Sequence, residues 1–197
     1  MALAILLLGM CASAGTAQIQ PADSLWLHRV YETESPIVET WTGAAHASAY
    51  PVFWGGVPVA AIGTELSGGS LWDAPFELAL AEGGAYLLQA GLKALIERPR
   101  PYLRYERIDS RSHRLGREDP DFSMPSGHAA GAFAMSTSWY LSHRHWGVAV
   151  PLALWSGGVA LSRPRLGVHY PSDVLVGAVL GIAIGVAAHH AGPHLRP

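Results

Sequence analysis

The sequence predicts an all-α fold: a membrane-embedded helical bundle of about five or six helices. Three observations carry this. Runs without formal charge recur at residues 44–64, 127–142, 146–162 and 174–191, each near the length of a bilayer-spanning helix. Charged residues make up only 14% of the chain, against about 25% in an ordinary soluble domain, while 50% are hydrophobic. Gly177, Gly181 and Gly185 fall every fourth residue in the last run, a spacing that lets helices approach closely in lipid. Mean hydropathy is only +0.21, so the arrangement of apolar runs carries more weight than composition. A net charge of −2 offers no basic footprint for nucleic acid.

Residues 1–17 read as a signal peptide or a first membrane anchor. Residues 2–10 are apolar, and Ala12-Ser13-Ala14 and Gly15-Thr16-Ala17 both resemble cleavage sites, although no positive residues precede the apolar run. Cys11 is the only cysteine, which rules out an internal disulfide framework. Met10 before it makes a lipoprotein site a poorer reading. Residues 18–43 form an amphipathic N-terminal segment, with Trp26, Leu27, Val30, Ile37, Val38 and Trp41 set among Arg29, Glu32, Glu34 and Glu39. One amphipathic helix or two short ones, lying on a membrane or protein surface, would suit it. Residues 44–197 are then the helical-bundle domain.

In the first span, residues 44–64, His46 is the only ionisable group, and Pro51 and Pro58 are tolerable in a membrane helix. A Gly- and Ser-containing turn follows, and Pro75 suits the start of a new helix over 76–96. That helix carries Glu77, Glu82 and Lys93, which must face inwards or meet water. Residues 102–123 are the most hydrophilic stretch. Arg104, Arg107, Arg111 and Arg114 would share one face if it is helical, and would belong to a solvated loop balanced by Glu106, Asp109, Glu118, Asp119 and Asp121 if it is not.

With these spans, residues 97–126 and 163–173 share one membrane face with residues 21–43, and residues 65–75 and 143–145 lie opposite with the C-terminus. A signal sequence places the first set outside the cytoplasm. The positive-inside rule disagrees, because only Arg144 and Arg196 fall on the proposed cytoplasmic side. Either the orientation is inverted, or the outer arginines are kept for chemistry, which we favour.

Three segments hold that chemistry. Pro125-Ser126-Gly127-His128 can start a helix, with Ser126 as cap and His128 in the first turn, where unpaired amides and the helix dipole favour an anion. By itself this is also an ordinary turn. Lys93 is the only lysine, and Arg100-Pro101 follows after six residues; a cation inside an apolar segment needs an anion unless it reaches back to the interface. Ser162-Arg163 closes a run, and His169 and Asp173 lie four apart ahead of the next. An Asp that fixes one imidazole nitrogen leaves the other free to attack, although a lone pair of this kind is more often structural.

Together, Lys93-x6-Arg100-Pro101, Pro125-Ser126-Gly127-His128 and Ser162-Arg163-x5-His169-x3-Asp173 resemble the three-part signature of the type 2 phosphatidic acid phosphatase superfamily. This group includes lipid phosphate phosphatases, class A acid phosphatases and vanadium haloperoxidases. The resemblance covers about residues 76–191. It implies an active site at one membrane face, with Lys93, Arg100 and Arg163 holding phosphate oxygens and Ser126 and Gly127 completing the cradle. His169 would be the nucleophile that forms a phosphohistidine, Asp173 its orienting partner, and His128 the acid for the leaving group and then the base for water. No metal and no cofactor are implied.

In the double Arg-Pro only Arg100 has the required separation from Lys93. Arg98 is the second choice and a candidate for the substrate entrance, and Arg165 could brace its loop or touch a second phosphate. The expected substrate is a lipid phosphate or diphosphate of the phosphatidic acid, phosphatidylglycerol phosphate or polyprenyl diphosphate class. The expected location is the bacterial inner membrane, with the site facing the periplasm. A soluble secreted acid phosphatase is the main alternative, ahead of a haloperoxidase or a lipid-binding scaffold without turnover.

Overall fold

A computed structural model describes residues 21–111 and 122–196. The signal-peptide reading of residues 1–17, Cys11, and the segment that holds Arg114, Arg117, Glu118, Asp119 and Asp121 lie outside the described residues. Among the described residues six α-helices follow one another: α1 (Pro21–Tyr31), α2 (Pro36–Leu66), α3 (Ala74–Ile96), α4 (Gly127–His143), α5 (Trp146–Arg165) and α6 (Pro171–Leu195). A short 3-10 turn, Pro101–Leu103, interrupts the long connection between α3 and α4. The fold is all-α, as the apolar runs predict.

The N-terminal segment differs from the expectation in its second half. Ser35 caps α2, accepting a hydrogen bond from the Val38 amide at 3.5 Å, and Pro36 takes the first helical position. From there 31 residues continue without a break, a helix of roughly 46 Å at 1.5 Å per residue. It passes through the boundary drawn at residue 44, because Gly43 keeps a helical backbone and does not turn left-handed as a helix-ending glycine does. The first half is a separate helix, α1, seated on the bundle through buried Leu27, which packs with Ile108 and Tyr170.

The helices are longer than the uncharged runs. α5 includes Arg163 and Arg165 in its last turn, and α6 includes Asp173 in its first, so these side chains stand on rigid helix ends. The described part of the segment after α3, residues 97–111, is not α-helical: Arg104 and Arg107 are exposed, as in a solvated loop. Among the described residues one helix, α6, is long and apolar enough by length and composition to cross a membrane. The other helices carry apolar side chains outwards, Trp54 and Leu87 among them.

At the centre α6 lies against α4. A Cβ at Gly177 would stand 2.5 Å from the Ser126 carbonyl oxygen, and one at Gly185 would stand 2.7 Å from that of Ala134. Across from them, Ala129, Ala130 and Ala134 are fully buried. Small residues on both helices let the backbones touch.

The two ends of the bundle are distinct. At one, the Ser126 amide donates to Asp173 O (2.9 Å), the Ser123 amide to Arg98 O (2.7 Å) and the Arg111 amide to Leu166 O (3.0 Å). At the other, Arg196 pairs with Asp73 at 2.6 Å, and buried Glu77 accepts from Ser142 Oγ at 3.1 Å and Arg196 at 3.0 Å, with His189 Nδ1 at 2.8 Å. Glu77 thus turns inwards and is satisfied there.

Candidate active site

Four helix ends and the two connections between them converge at the first of these ends. α4 begins where the sequence places it: Ser126 is the cap, its hydroxyl accepting from the Ala129 amide at 3.5 Å. A side chain at position 127 would meet Gln89 Oε1 at 2.9 Å, so Gly127 keeps the helix start open beside α3. α3 stops at Glu97, which takes a left-handed conformation (φ 49°). That turn leaves Lys93 in the last helical turn and sends Arg98 and Arg100 into the connection.

Lys93, Arg100, Gly127, His128, Arg163 and His169 line one cavity of about 640 Å³. The two histidines therefore face a common space, although 41 positions separate their numbers. Ser126 and Asp173 are fully buried behind its wall. The rest of the cavity runs between α2 and α3, past Tyr50, Phe53, Trp54 and Tyr86 with Glu82 among them, so a mainly apolar passage carrying one carboxyl group joins the cationic pocket.

His169 is buried and has two different sides. Its Nε2 lies 3.4 Å from an Arg100 terminal nitrogen, and Arg100 also donates to Val168 O at 2.8 Å. Its Nδ1 faces Asp173 Oδ2 at 3.6 Å. A guanidinium can only donate, so Nε2 is the acceptor nitrogen and Nδ1 carries the proton towards the carboxylate. Burial, followed by the charges of Arg100, Arg163 and Lys93, lowers the His169 pKa well below its ordinary value. The imidazole is therefore neutral, with a lone pair aimed at the cations.

His128 sits in an aromatic cage. Tyr50 and Phe53 meet its ring edge-on, with centroids 5.0 Å and 6.0 Å away, and its buried Nε2 has no hydrogen-bond partner among the described residues. A buried polar atom of this kind is costly unless something that enters the cavity satisfies it.

Arg98 corrects one expectation. It does not stand at an entrance: it is 4% exposed, and its guanidinium turns away from the cavity to Asp23 and Asp173. The carboxylates decide its direction, since two anions close by outweigh what one solvent-facing position could offer. Arg165 braces the loop, donating to Thr33 O at 3.0 Å while its own carbonyl accepts from Arg111 at 3.1 Å.

Sequence reasoning passed over three residues at this end. His46 of α2 is buried, with Nδ1 3.3 Å from an Arg163 terminal nitrogen and its ring 6.1 Å from that of His128. An ionisable group inside an uncharged span was the available signal. Gln89, one turn before Lys93, also lines the cavity, and Asp23 of α1 reaches Arg98. Neither belongs to a spaced motif.

Comparison with known proteins bears on the whole arrangement. The sequence profile of the PAP2 superfamily matches residues 74–196. Decaprenylphosphoryl-5-phosphoribose phosphatase of Mycobacterium tuberculosis (strain CDC 1551 / Oshkosh) is 36% identical over 117 residues, which is 59% of this chain and 62% of that protein. Undecaprenyl-diphosphatase BcrC of Bacillus subtilis (strain 168) is 34% identical over 99 residues, 50% of this chain and 48% of that one. The chain thus spans less than two thirds of the length of these relatives.

Two solved structures share the fold. The transmembrane PAP2-type phosphatidylglycerolphosphate phosphatase from Bacillus subtilis superposes with a TM-score of 0.77 at 23% identity, covering 99% of this chain and 96% of that one. Aquifex aeolicus LpxE gives 0.67 at 24% identity, with 83% and 92% covered. With a profile that takes in all three motif segments and more than half of its residues, the chain belongs to the PAP2 superfamily.

Proposed function

We propose that this protein is a phosphatase that hydrolyses a phosphate monoester or diphosphate on a lipid through a phosphohistidine. The carrying observation is the orientation of His169, whose Nε2 faces Arg100 in the cavity while Nδ1 faces Asp173. Lys93, Arg100 and Arg163 hold the phosphate oxygens and stabilise the charge of a pentavalent transition state, and Ser126 with the Gly127 amide completes the cradle. His169 Nε2 bonds to phosphorus as the ester P–O bond breaks, and protonated His128 gives the leaving oxygen its proton. A water then attacks phosphorus, His128 takes up its proton, and the P–N bond breaks to release inorganic phosphate. The arginines and the lysine supply the positive charge for this step without a metal ion.

The substrate class follows from the cavity's second half. The passage between α2 and α3 is lined by Tyr50, Phe53, Trp54 and Tyr86, which suits an acyl or prenyl chain whose headgroup reaches the cations. The named relatives act on decaprenylphosphoryl-5-phosphoribose and undecaprenyl diphosphate. A lipid phosphate or diphosphate is the common chemistry. The outward side chains of Trp54, Val59, Leu87 and Leu175 favour a bilayer over water, since a soluble surface seldom shows so many large apolar groups. We place the protein in the bacterial inner membrane, with the cavity at the periplasmic face.

Phosphate release from a panel of lipid and soluble phosphates in detergent tests the reading. Wild type is expected to prefer lipid phosphates, and His169→Ala to abolish release. Near-normal turnover by His169→Ala would refute the mechanism. Extraction by an alkaline carbonate wash would instead point to the secreted acid phosphatase.

A further inference from the structure

Asp23 lies outside the residues that match the superfamily profile, 51 positions before they begin. It sits in the first turn of α1, yet it is 7% exposed and fully engaged. Its Oδ2 accepts from Arg98 at 2.6 Å and from the Ser172 hydroxyl, and its Oδ1 accepts from the Ser172 amide at 2.9 Å. The other terminal nitrogen of Arg98 donates to the Ser172 hydroxyl at 2.7 Å and to Asp173 Oδ1. Asp173 Oδ2 then accepts from the Tyr170 amide at 2.8 Å and faces His169 Nδ1. One buried chain of contacts therefore runs from α1 through Arg98 and Asp173 to the imidazole.

We infer that Asp23 is a positioning residue for His169, and that α1 latches Arg98 and Ser172 so that Asp173 keeps the oxygen fixed by the Tyr170 amide facing the imidazole. The inference rests on the reading of His169 as nucleophile. Geometry supports it first, because the Ser172 amide bond fixes the first turn of α6 one residue before Asp173. Charge supports it independently. Arg98 with Asp173 alone would be a neutral pair with little attraction left for an imidazole that becomes cationic on phosphoryl transfer. The second carboxylate restores a net negative cluster behind His169. Arg98 is itself kept charged: burial acts against it, and Asp173 and Asp23 more than offset this, raising its pKa.

The test uses the full chain in detergent with a short-chain phosphatidic acid, comparing Asp23→Asn and Asp23→Glu with wild type and His169→Ala. Steady-state kinetics are read with inhibition by orthovanadate, which mimics the pentavalent phosphorus, and by inorganic phosphate, which mimics the ground state. Asp23→Asn is expected to lower kcat by about tenfold or more with KM within about twofold, as outer partners of reacting groups commonly do. Vanadate inhibition should weaken by a similar factor while phosphate inhibition holds.

A purely structural role would lower the melting temperature and, through the active fraction, apparent kcat, but would leave vanadate and phosphate inhibition both unchanged. If vanadate inhibition stays within about twofold of wild type, whatever happens to kcat, the latch is overturned. Should Asp23→Asn fail to fold, Asp23→Glu decides by the same criteria, because it keeps the charge and displaces the carboxylate from Arg98 and the Ser172 amide. If His169→Ala keeps its turnover, the nucleophile assignment is what fails; if His169→Ala is dead and Asp23→Asn is normal, only the latch does.

Discussion

Arg98 and Arg100 lie two residues apart after α3, and their guanidinium groups leave the chain in different directions. Arg100 joins Lys93 and Arg163 around His169, whereas Arg98 is enclosed by carboxylates. Removing Arg98 strands Asp23 and Asp173 as buried like charges, so Arg98→Leu should destabilise the protein by about 3–5 kcal/mol, read as a lower melting temperature. Arg100→Leu removes one of several clustered cations; it should abolish phosphate release with a much smaller loss of stability. Burial, and after it the same cations, set the pH response. A neutral imidazole is the attacking form, and a lowered pKa keeps His169 neutral as pH falls through the ordinary value of about 6.5. Activity should then be lost only at more acid pH. Lys93→Met removes one cation and should move the acid limb of residual kcat/KM upwards; an unmoved limb would mean that the limb does not report His169.

At the scale of elements, the contact of α4 with α6 carries the site. The Ser126 amide reaches Asp173 O across this contact, and the glycines of α6 allow the approach. Gly181→Ala would press a methyl group onto the Ala130 carbonyl and the Ala134 amide of α4. Overpacking of this kind costs about 1–3 kcal/mol, and forcing the helices apart should lower turnover as well. Gly91, in α3, has nothing within 4 Å of an added Cβ. Gly91→Ala is the matched control and should be neutral or stabilising by up to about 1 kcal/mol, because alanine favours helix. Melting of both variants in detergent checks the contrast. The four-residue spacing of the glycines was legible in the sequence, but not the partner helix, since a helix face does not name what it packs against.

For the whole molecule, the two ends carry different chemistry: cations and histidines at one, the Glu77, His189 and Arg196 cluster at the other. Single cysteines placed at exposed Arg107 and Ser67 in a Cys11→Ser background report which end faces out. A membrane-impermeant maleimide should label Arg107→Cys in intact spheroplasts and Ser67→Cys only after permeabilisation. The reverse pattern would invert the orientation and support the positive-inside rule over the signal-peptide reading of residues 1–17.

What the sequence by itself determined is local. Uncharged runs, caps and prolines mark where helices form, and motif spacing names the chemical groups, as with Ser126 opening α4 ahead of His128. Tertiary structure decided which groups meet. Spacing from Lys93 favours Arg100 over Arg98, but only packing shows that Arg98 turns to Asp23 and Asp173. Asp23 reaches Ser172 across 149 positions, and His46 reaches Arg163 across 117. The physical reason is that spacing records neighbours within a turn or two. The balance between burying a charge and pairing it is struck between helices, and it exists only once they have packed.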